Sequence, residues 1–314
     1  MKCGGPEGSV LGLLLFLIYI NDIARSSPIG KIRIFADDTS GFVESSNIDE
    51  VISNSETLMN DLSKWFKANK LTLSSNKSCF ILFRSKQSRL NRIPSTIVFG
   101  NSNIKRANSV KYLGVTLEEH LNWKEHVDNV CNSLKKCFNV FYSIRDYLNI
   151  DQCRAIYYSL VYSKITYALA VYGLTSKENL LSIQRLQNKL LKVLIKKPYL
   201  YPTNDLHNDL KILKVEDLVD LEILTFVFNF KNKRLPDIFN NHFKFRNEHQ
   251  QIQTRNIENH IVTPITRTNY GERTVRVKGS LLWNQLPTNL HTLSNTKNFR
   301  VKWRLTKLPY SEEN

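Results

Sequence analysis

Residues 31–44 read Lys-Ile-Arg-Ile-Phe-Ala-Asp-Asp-Thr-Ser-Gly-Phe-Val-Glu. Two β-prone runs stand on either side of short polar residues, and this pattern predicts a β-hairpin. The alternating apolar side chains of the first run would anchor the hairpin, and Asp37 and Asp38 would lie near its tip. Adjacent aspartates are common in turns for conformational reasons alone. The pair therefore indicates a metal site only if its surroundings support one.

Working outward, Asn47 is a suitable helix N-cap with Glu50 three residues later, and apolar residues follow at helical spacing. Phe80-Ile81-Leu82-Phe83 predicts a short buried strand, and residues 96–117 predict further strands that turn at Gly100-Asn101. The first part of the chain should therefore form a small antiparallel sheet covered by helices.

The pattern changes near Trp123, where apolar residues begin to recur at the spacing of long helices. The predicted helices span residues 123–148, 151–172, 177–197 and about 215–232. The resulting fold class is α+β, with a helical bundle after the sheet.

The composition favours a folded protein with a polyanionic partner. The chain has 314 residues, 42% of them apolar, a formal net charge of +16 and a pI near 9.6. Nucleic acid is the first partner that this charge suggests, and an anionic membrane surface is the second. The five cysteines are scattered and odd in number, so neither a disulfide framework nor a structural zinc site is expected, and the compartment should be reducing.

The apolar run from Val10 to Ile20 follows a lone Lys2 and imitates a secretory signal. The run is shorter than the roughly 20 residues that a membrane span needs. We therefore expect no membrane segment, and a secreted or membrane-inserted protein is kept as an alternative.

Several sequence blocks occur in an order that resembles one known family. Residues 4–22 read Gly-Gly-Pro-Glu-Gly-Ser-Val-Leu-Gly-Leu-Leu-Leu-Phe-Leu-Ile-Tyr-Ile-Asn-Asp; later come Phe35-Ala36-Asp37-Asp38, Asn76-Lys77 and Tyr112-Leu113-Gly114-Val115. Weaker likeness continues at residues 121–126 and 279–287. Together they resemble the reverse transcriptases of non-LTR retrotransposons of the LINE, jockey-like kind. The resemblance implies a partial palm in residues 1–118, a helical thumb-like region in 119–200 and a basic C-terminal region in 201–314.

The resemblance also implies roles for individual residues. Asp37 would ligate two Mg²⁺ ions with Asp38 as a neighbouring or weaker ligand, because Mg²⁺ prefers carboxylate oxygens. Lys77 would meet the triphosphate, although a solvated loop lysine is an equally good interpretation. Residues that would contact the nucleotide or template are Gly8, Ser9, Phe35 and Ala36. Leu113 and Gly114 would belong to the primer grip.

The sequence departs from the family pattern in ways that bear on activity. Glu7 stands where the family has Gln, Leu13 replaces the usual Pro, and Gly5 replaces an apolar residue. The block with the first catalytic aspartate would precede Met1, and the fingers would be missing with it. Since a two-metal centre needs carboxylates from both sides, we expect a truncated polymerase that is inactive or nearly so by itself.

A basic stripe is predicted on the helix at 177–197. Arg185, Lys189, Lys192 and Lys196 follow one another at i, i+4, i+7 and i+11, and no acidic residue follows Glu178 in this helix. Such a stripe is usually a solvated face, but here we expect a track for the nucleic-acid backbone.

The sequence thus predicts a fragment of an RNA-directed DNA polymerase that works in the cell, in the cytoplasm, the nucleus or both. Its partners would be an RNA template, a DNA primer and deoxynucleoside triphosphates, with no membrane. The alternative is a non-catalytic nucleic-acid-binding remnant, whose binding would fall steeply with salt and would not depend on Asp37.

Overall fold

The structure is a computed structural model that describes residues 10–88, 93–246 and 260–308. The chain divides into two compact units, Met1–Leu121 and Asn122–Asn314. Helices and small sheets are both present, which confirms the α+β class. The identification of a palm and a thumb within these units stays a prediction.

The first unit consists of short strands beside two α-helices in its described residues. The helices are α1 (Val10–Ile20) and α2 (Ile48–Ala68). The strands are β1 (Lys31–Phe35), β2 (Asp38–Phe42), β3 (Cys79–Phe80), β4 (Thr96–Phe99), β5 (Ser102–Arg106), β6 (Ser109–Tyr112) and β7 (Val115–Glu118). β1 pairs with β2, β6 pairs with β7, and β5 lies between β3 and β4, so the described strands form three small sheets. The pairing is antiparallel except between β3 and β5.

Helix α2 supplies much of the core of this unit. Asn47 caps it, because its side-chain oxygen accepts a hydrogen bond from the Asp49 amide at 2.9 Å. Leu58 and Leu62 on its inner face are buried together with Ile32 of β1. Glu50 does not complete a capping box; its carboxylate accepts a hydrogen bond from the Ser45 hydroxyl at 2.5 Å.

The prediction for residues 80–83 was wrong in length and in burial. Strand β3 contains only Cys79 and Phe80, and Phe83 is exposed. The reason is that its partner strand β5 ends at Arg106. Arg84 then turns away and donates its backbone N–H to the Glu119 carbonyl at 3.0 Å, which takes the segment towards β7.

The apolar run near the start of the chain forms α1, and most of its large side chains are exposed. Ile20 at its end and Ile23 just beyond it enter the core. Among the residues that the structure describes, no helix combines the length and apolarity that a membrane crossing requires.

The second unit is mainly helical in its described residues. Its helices are α3 (Lys124–Lys135), α4 (Cys137–Ile144), α5 (Ile150–Tyr157), α6 (Ser163–Thr166), α7 (Leu169–Tyr172), α8 (Lys177–Leu194), α9 (Thr203–Leu210), α10 (Val215–Lys231), α11 (Asn269–Glu272), α12 (Val275–Asn284), α13 (Thr288–His291) and α14 (Thr296–Lys307). Side chains from both sides of residue 200 pack into one core.

Two of the long helices expected from the sequence are interrupted. The first breaks at Lys136, and the second passes through a π-helical turn at Tyr158–Tyr162 and a left-handed residue at Ala168 (φ +56°). A π turn and a left-handed alanine depend on tertiary packing, so apolar periodicity did not reveal them. The helix predicted near 215–232 is confirmed as α10.

The segment at residues 279–287, which carried part of the family likeness, closes this core. A Cβ atom on Gly279 would lie 2.9 Å from Cγ2 of Val227, so α12 approaches α10 at a distance that only glycine permits. Trp283 is buried. The side chain of Asn284 accepts from the Ile261 amide at 2.8 Å and donates to the Ile261 carbonyl at 2.9 Å, which satisfies both backbone groups of that buried residue.

All the cysteines among the described residues are free, in agreement with their scattered spacing. Cys79 is exposed in the first unit, whereas Cys131, Cys137 and Cys153 are buried in the second. Burial raises the pKa of the Cys131 and Cys153 thiols.

A partly buried carboxylate ties the β3–β5 sheet to the β6–β7 hairpin. Glu119 is only 13% exposed; its Oε1 lies 3.1 Å from Nη2 of Arg84, and its Oε2 lies 2.6 Å from Nη2 of Arg106. His120 Nε2 is 3.0 Å from Oε1. Burial alone would raise the pKa of Glu119, but the hydrogen bond from Arg106 and the charge of Arg84 hold it below 4.5. The pair of arginines therefore favours the charged carboxylate.

We expect Glu119→Gln to lower the free energy of unfolding by about 3 kcal/mol at neutral pH, because two arginines lose their counter-charge. Since the folded state lowers the pKa of Glu119, its contribution is present above pH 4.5 and is lost as the pH falls below that value. Urea unfolding of both proteins over this pH range measures the difference. Glu44→Gln, which removes an ion-pair partner that is 89% exposed, is the control and should change little. A gap between wild type and Glu119→Gln that is the same on both sides of pH 4.5 would contradict this assignment.

Candidate functional site

The aspartate pair lies at the tip of a two-residue hairpin, as the sequence predicted. β1 and β2 pair from Lys31↔Phe42 to Phe35↔Asp38, so Ala36 and Asp37 form the turn and Asp38 is the first residue of β2. Ala36 has φ +51°, which is unusual for a residue with a Cβ atom. The side chains from Phe35 to Asp38 are all exposed. Two carboxylates are thus presented next to each other on a short, solvent-facing turn.

The base of this hairpin is fixed on helix α2. Ile32 points into the core beside Leu58. A Cβ atom on Gly41 would lie 2.8 Å from Cδ2 of Leu58, so β2 crosses α2 at close range and a larger residue there would displace the end of the Leu58 side chain. The exposed carboxylates therefore stand on a strand pair whose position is set by buried contacts.

A cavity of about 820 Å³ opens behind the hairpin in the first unit. It is lined by α2, by the later part of β2 and by residues of the sheets, among them Phe42, Val110 and Tyr112. Asp37 and Asp38 do not line it. The carboxylates and this cavity are consequently separate features of the unit.

The predicted primer-grip residues form the turn of the second hairpin. Tyr112 pairs with Val115, and between them Leu113 has φ +46° and Gly114 has φ +81°. Positive φ at both central residues defines the type I′ turn that suits a two-residue hairpin. The two hairpins touch, because the rings of Phe42 and Tyr112 meet edge to face with centroids 6.4 Å apart.

This contact joins the second hairpin to the base of the first and not to its tip. Phe42 and Asp38 are four residues apart on β2, which is about 13 Å along an extended strand. The structure thus brings the predicted primer grip to the same strand as the aspartates, one strand length away from them.

The other predicted nucleotide-binding residues are less closely associated. Lys77 lies in an exposed turn before β3, and β3 pairs with β5 rather than with the aspartate hairpin. Gly8 and Ser9 lie outside the described residues, as do Glu7 and Gly5.

The donors at the hairpin tip fit Mg²⁺ in kind but not in number. Aspartate oxygens are the ligands that this ion prefers. Within the described ranges, however, no group of three or more His, Cys, Asp or Glu side chains is placed to hold a metal. By themselves, Asp37 and Asp38 are fewer ligands than a metal site of three or more such side chains would have.

The predicted basic stripe on α8 is shorter than expected. Arg185 and Lys189 are exposed, but the ammonium of Lys192 donates to the Tyr199 carbonyl at 2.6 Å. The helix ends at Leu194. Lys196, with φ +56°, lies beyond that end and pairs with Asp146 at 2.8 Å. Lys196 is therefore not on the face of α8 that carries Arg185 and Lys189, because it lies after the end of the helix.

Sequence reasoning missed the contacts that hold the hairpins in place. Arg84 and Glu119 are 35 residues apart, and Phe42 and Tyr112 are 70 residues apart. No local pattern indicates such partners. The positive φ at Leu113-Gly114 could have been inferred from the glycine that ends a two-residue turn between strands.

Each hairpin turn has a residue with positive φ, alanine (Ala36) in the first and glycine (Gly114) in the second, so the two opposite substitutions can be compared. Gly114→Ala places a Cβ atom at φ +81° and should destabilise the first unit by about 1 kcal/mol. Ala36→Gly removes a Cβ atom from a residue at φ +51° and should stabilise the first unit. The gain should be up to about 1 kcal/mol, because the larger entropy of glycine in the unfolded chain offsets part of the relieved strain. Urea unfolding measures both. Changes of the same sign would mean that the two turns do not have these backbone conformations in solution.

Comparison with known proteins agrees with the geometry of the first unit. Residues 1–117 match the family model described as reverse transcriptase (RNA-dependent DNA polymerase). The chain is 27% identical to the RNA-directed DNA polymerase from mobile element jockey of Drosophila melanogaster, over 69% of this chain and 24% of that protein. It is 26% identical to the jockey polymerase of Drosophila funebris, over 70% of this chain and 25% of that protein.

A third relative is the probable RNA-directed DNA polymerase from transposon X-element of Drosophila melanogaster, at 27% identity over 70% of this chain and 25% of that protein. No solved structure matches the chain significantly. The chain spans about a quarter of the length of the curated relatives it matches. The resemblance expected from the ordered blocks is confirmed: residues 1–117 match the reverse transcriptase family model, and the chain is similar to RNA-directed DNA polymerases from mobile elements such as jockey.

Proposed function

We propose that this chain contributes the aspartate hairpin and nucleic-acid contacts to an RNA-directed DNA polymerase of a non-LTR element. The observation that carries the proposal is the exposed Asp37-Asp38 turn, held on buried contacts inside the segment that matches the reverse transcriptase family. Its partners would be an RNA template, a DNA primer and deoxynucleoside triphosphates, and it would act in the cytoplasm or the nucleus.

Each site residue has a role in this proposal. Asp37 and Asp38 supply part of the carboxylate set for two Mg²⁺ ions, which when bound activate the primer hydroxyl and hold the phosphate in line. Phe35 and Ala36 lie beside them at the tip, where the primer end and nucleotide would meet the chain, and Gly8 and Ser9 would touch the same substrates. Lys77 meets the triphosphate. Leu113 and Gly114 support the primer strand from the second hairpin.

A complete metal centre needs further carboxylates. Asp37 and Asp38 are neighbours on one turn, whereas a two-metal centre places its ligands around both ions. We therefore propose that this chain polymerises little by itself and gains activity when an upstream polymerase segment supplies the opposing carboxylate.

The alternative, a non-catalytic nucleic-acid-binding protein, is supported by the charge of +16 and by exposed cations such as Arg185 and Lys189 on α8. Both functions include nucleic-acid binding. They differ in whether Asp37 affects a chemical step.

The test is Mg²⁺-dependent primer extension on an RNA template by this chain joined in frame to the upstream part of a jockey polymerase. Asp37→Asn should lower the rate by about two orders of magnitude or more, because a metal ligand loses its charge. Binding of the primer–template at fixed salt should stay near wild type. Glu56→Gln, an exposed acid on α2, is the control for a change of charge alone.

Two outcomes would count against the polymerase role. Extension that survives Asp37→Asn would remove the aspartate hairpin from catalysis. A fusion that binds primer–template but never extends it, with or without the substitution, would favour the non-catalytic alternative.

A further inference from the structure

One surface of the second unit combines exposed tyrosines with cations. Tyr147 is 85% exposed and Tyr199 is 77% exposed, although tyrosine usually buries much of its ring. Tyr142, two residues before the end of α4, is exposed as well. These rings come from two separate segments, Tyr142–Tyr147 and the turn after α8. We call them together the tyrosine surface.

The turn after α8 is fixed by its backbone. The Lys197 amide donates to the Lys192 carbonyl at 2.9 Å, and the Lys196 amide donates to the Val193 carbonyl at 3.3 Å. Lys196 has a left-handed backbone conformation (φ +56°), and with these two hydrogen bonds it forms a Schellman motif. Glycine is the usual residue at the position that Lys196 occupies. The motif reverses the chain and carries Tyr199 back towards α8, where its carbonyl accepts from Lys192.

The two segments are brought together by one ion pair. Helix α4 packs against α8, and beyond the ends of both helices Lys196 Nζ lies 2.8 Å from Asp146 Oδ1. Asp146 directly precedes Tyr147, and Lys196 is three residues before Tyr199. The two most exposed tyrosines therefore lie within three residues of the partners of one ion pair.

Cations accompany the rings of this surface. The Arg145 guanidinium lies 4.9 Å from the centre of the Tyr142 ring, and Lys192 Nζ lies 5.8 Å from the centre of the Tyr199 ring. Lys197 lies 4.6 Å from the ring of Tyr201, which follows Tyr199 closely. A cation beside an aromatic ring can contact a phosphate while the ring contacts the attached base.

Two acidic groups near these residues pair with cations, whereas Asp209 accepts a hydrogen bond from the Tyr201 hydroxyl at 2.6 Å. Asp146 pairs with Lys196, which together with the charge of Arg145 lowers the pKa of its carboxyl. Asp151 lies 3.8 Å from Arg154. Beyond these pairs, Arg145, Lys192 and Lys197 bring three positive charges to the surface, against the two negative charges of Asp205 and Asp209 near Tyr201. The local charge favours an anionic polymer.

We propose that the tyrosine surface binds unpaired nucleotides, with Tyr147 and Tyr199 stacking on bases and Arg145, Lys192 and Lys197 contacting phosphates. This deepens the proposed function, and rests on it only for the choice of nucleic acid as the anionic polymer. Exposed rings distinguish the site from a track for the duplex backbone, because the base faces of a duplex are already stacked on one another. An unpaired strand of RNA and one of DNA offer the same phosphates and ring faces, so the experiment includes both.

The experiment measures binding of the whole chain to fluorescent oligonucleotides by anisotropy, in a chelator and at several salt concentrations. The probes are single-stranded oligouridylate, single-stranded oligothymidylate and a mixed-sequence duplex of the same length. We expect Tyr147→Ala combined with Tyr199→Ala to weaken single-strand binding by about tenfold or more. Duplex binding should change less than twofold. Tyr147→Phe combined with Tyr199→Phe keeps both ring faces and should bind single strands like wild type.

Leu200→Ala is the matched control, since Leu200 is next to Tyr199 and 87% exposed but has no ring. It should leave all three affinities unchanged. The proposal is overturned if the chain binds no single strand, if the alanine pair weakens single-strand and duplex binding equally, or if the phenylalanine pair weakens binding as much as the alanine pair. Inorganic polyphosphate that competes equally well before and after the alanine pair, with no loss of oligonucleotide binding, would indicate a general polyanion surface and would also overturn it.

A chelator removes divalent ions, so the binding result does not depend on Asp37. An unsubstituted fusion that never extends the primer, with normal single-strand binding by the chain, would sink the polymerase proposal and leave the tyrosine surface standing. Normal extension by the fusion, with single-strand binding that the tyrosine substitutions do not change, would overturn the tyrosine surface and leave the polymerase proposal standing.

Discussion

Contact between strand β2 and helix α2 at Gly41 determines where the aspartate turn can be. Because a Cβ atom there would collide with Leu58, the strand lies against the helix at a distance that few sequences allow. Ile32 on the neighbouring strand enters the same core. The carboxylates at the tip are exposed, yet the buried apolar packing of the same hairpin, a few residues away, fixes their position. Side chains on such a support need little backbone ordering to bind a ligand.

Much of this first unit could be predicted from the sequence because its signals are local. The hairpin at residues 31–44, the Asn47 cap and the turns after Phe99 and Tyr112 each depend on residues within one or two turns of chain. The family resemblance rests on the same short blocks, and it was confirmed over residues 1–117. The roles of single residues, such as Lys77 in contact with a triphosphate, stay predictions, because they depend on substrates that the fold alone does not contain.

The features that the sequence did not reveal depend on distant partners. Strand β3 stops after Phe80 because β5 has no more residues to pair with it, and Glu119 finds its arginines across sheets. The end of α8 illustrates the same limit within a helix. Periodicity continues to Lys197, but the chain leaves the helix at Ile195 and places Lys196 in a left-handed conformation. Long-range pairing and αL capping both override apolar spacing.

The distribution of thiols gives the two units separate chemical reporters. Once Cys3 is replaced, an alkylating reagent would modify Cys79 in the native protein, whereas Cys131, Cys137 and Cys153 react only after the second unit opens. Burial raises the pKa of Cys131 and Cys153, so in the closed state they are poor nucleophiles even for a small reagent. Mass spectrometry of the alkylated protein would therefore follow the opening of the helical unit through the rate at which Cys131, Cys137 and Cys153 are modified, without a spectroscopic label.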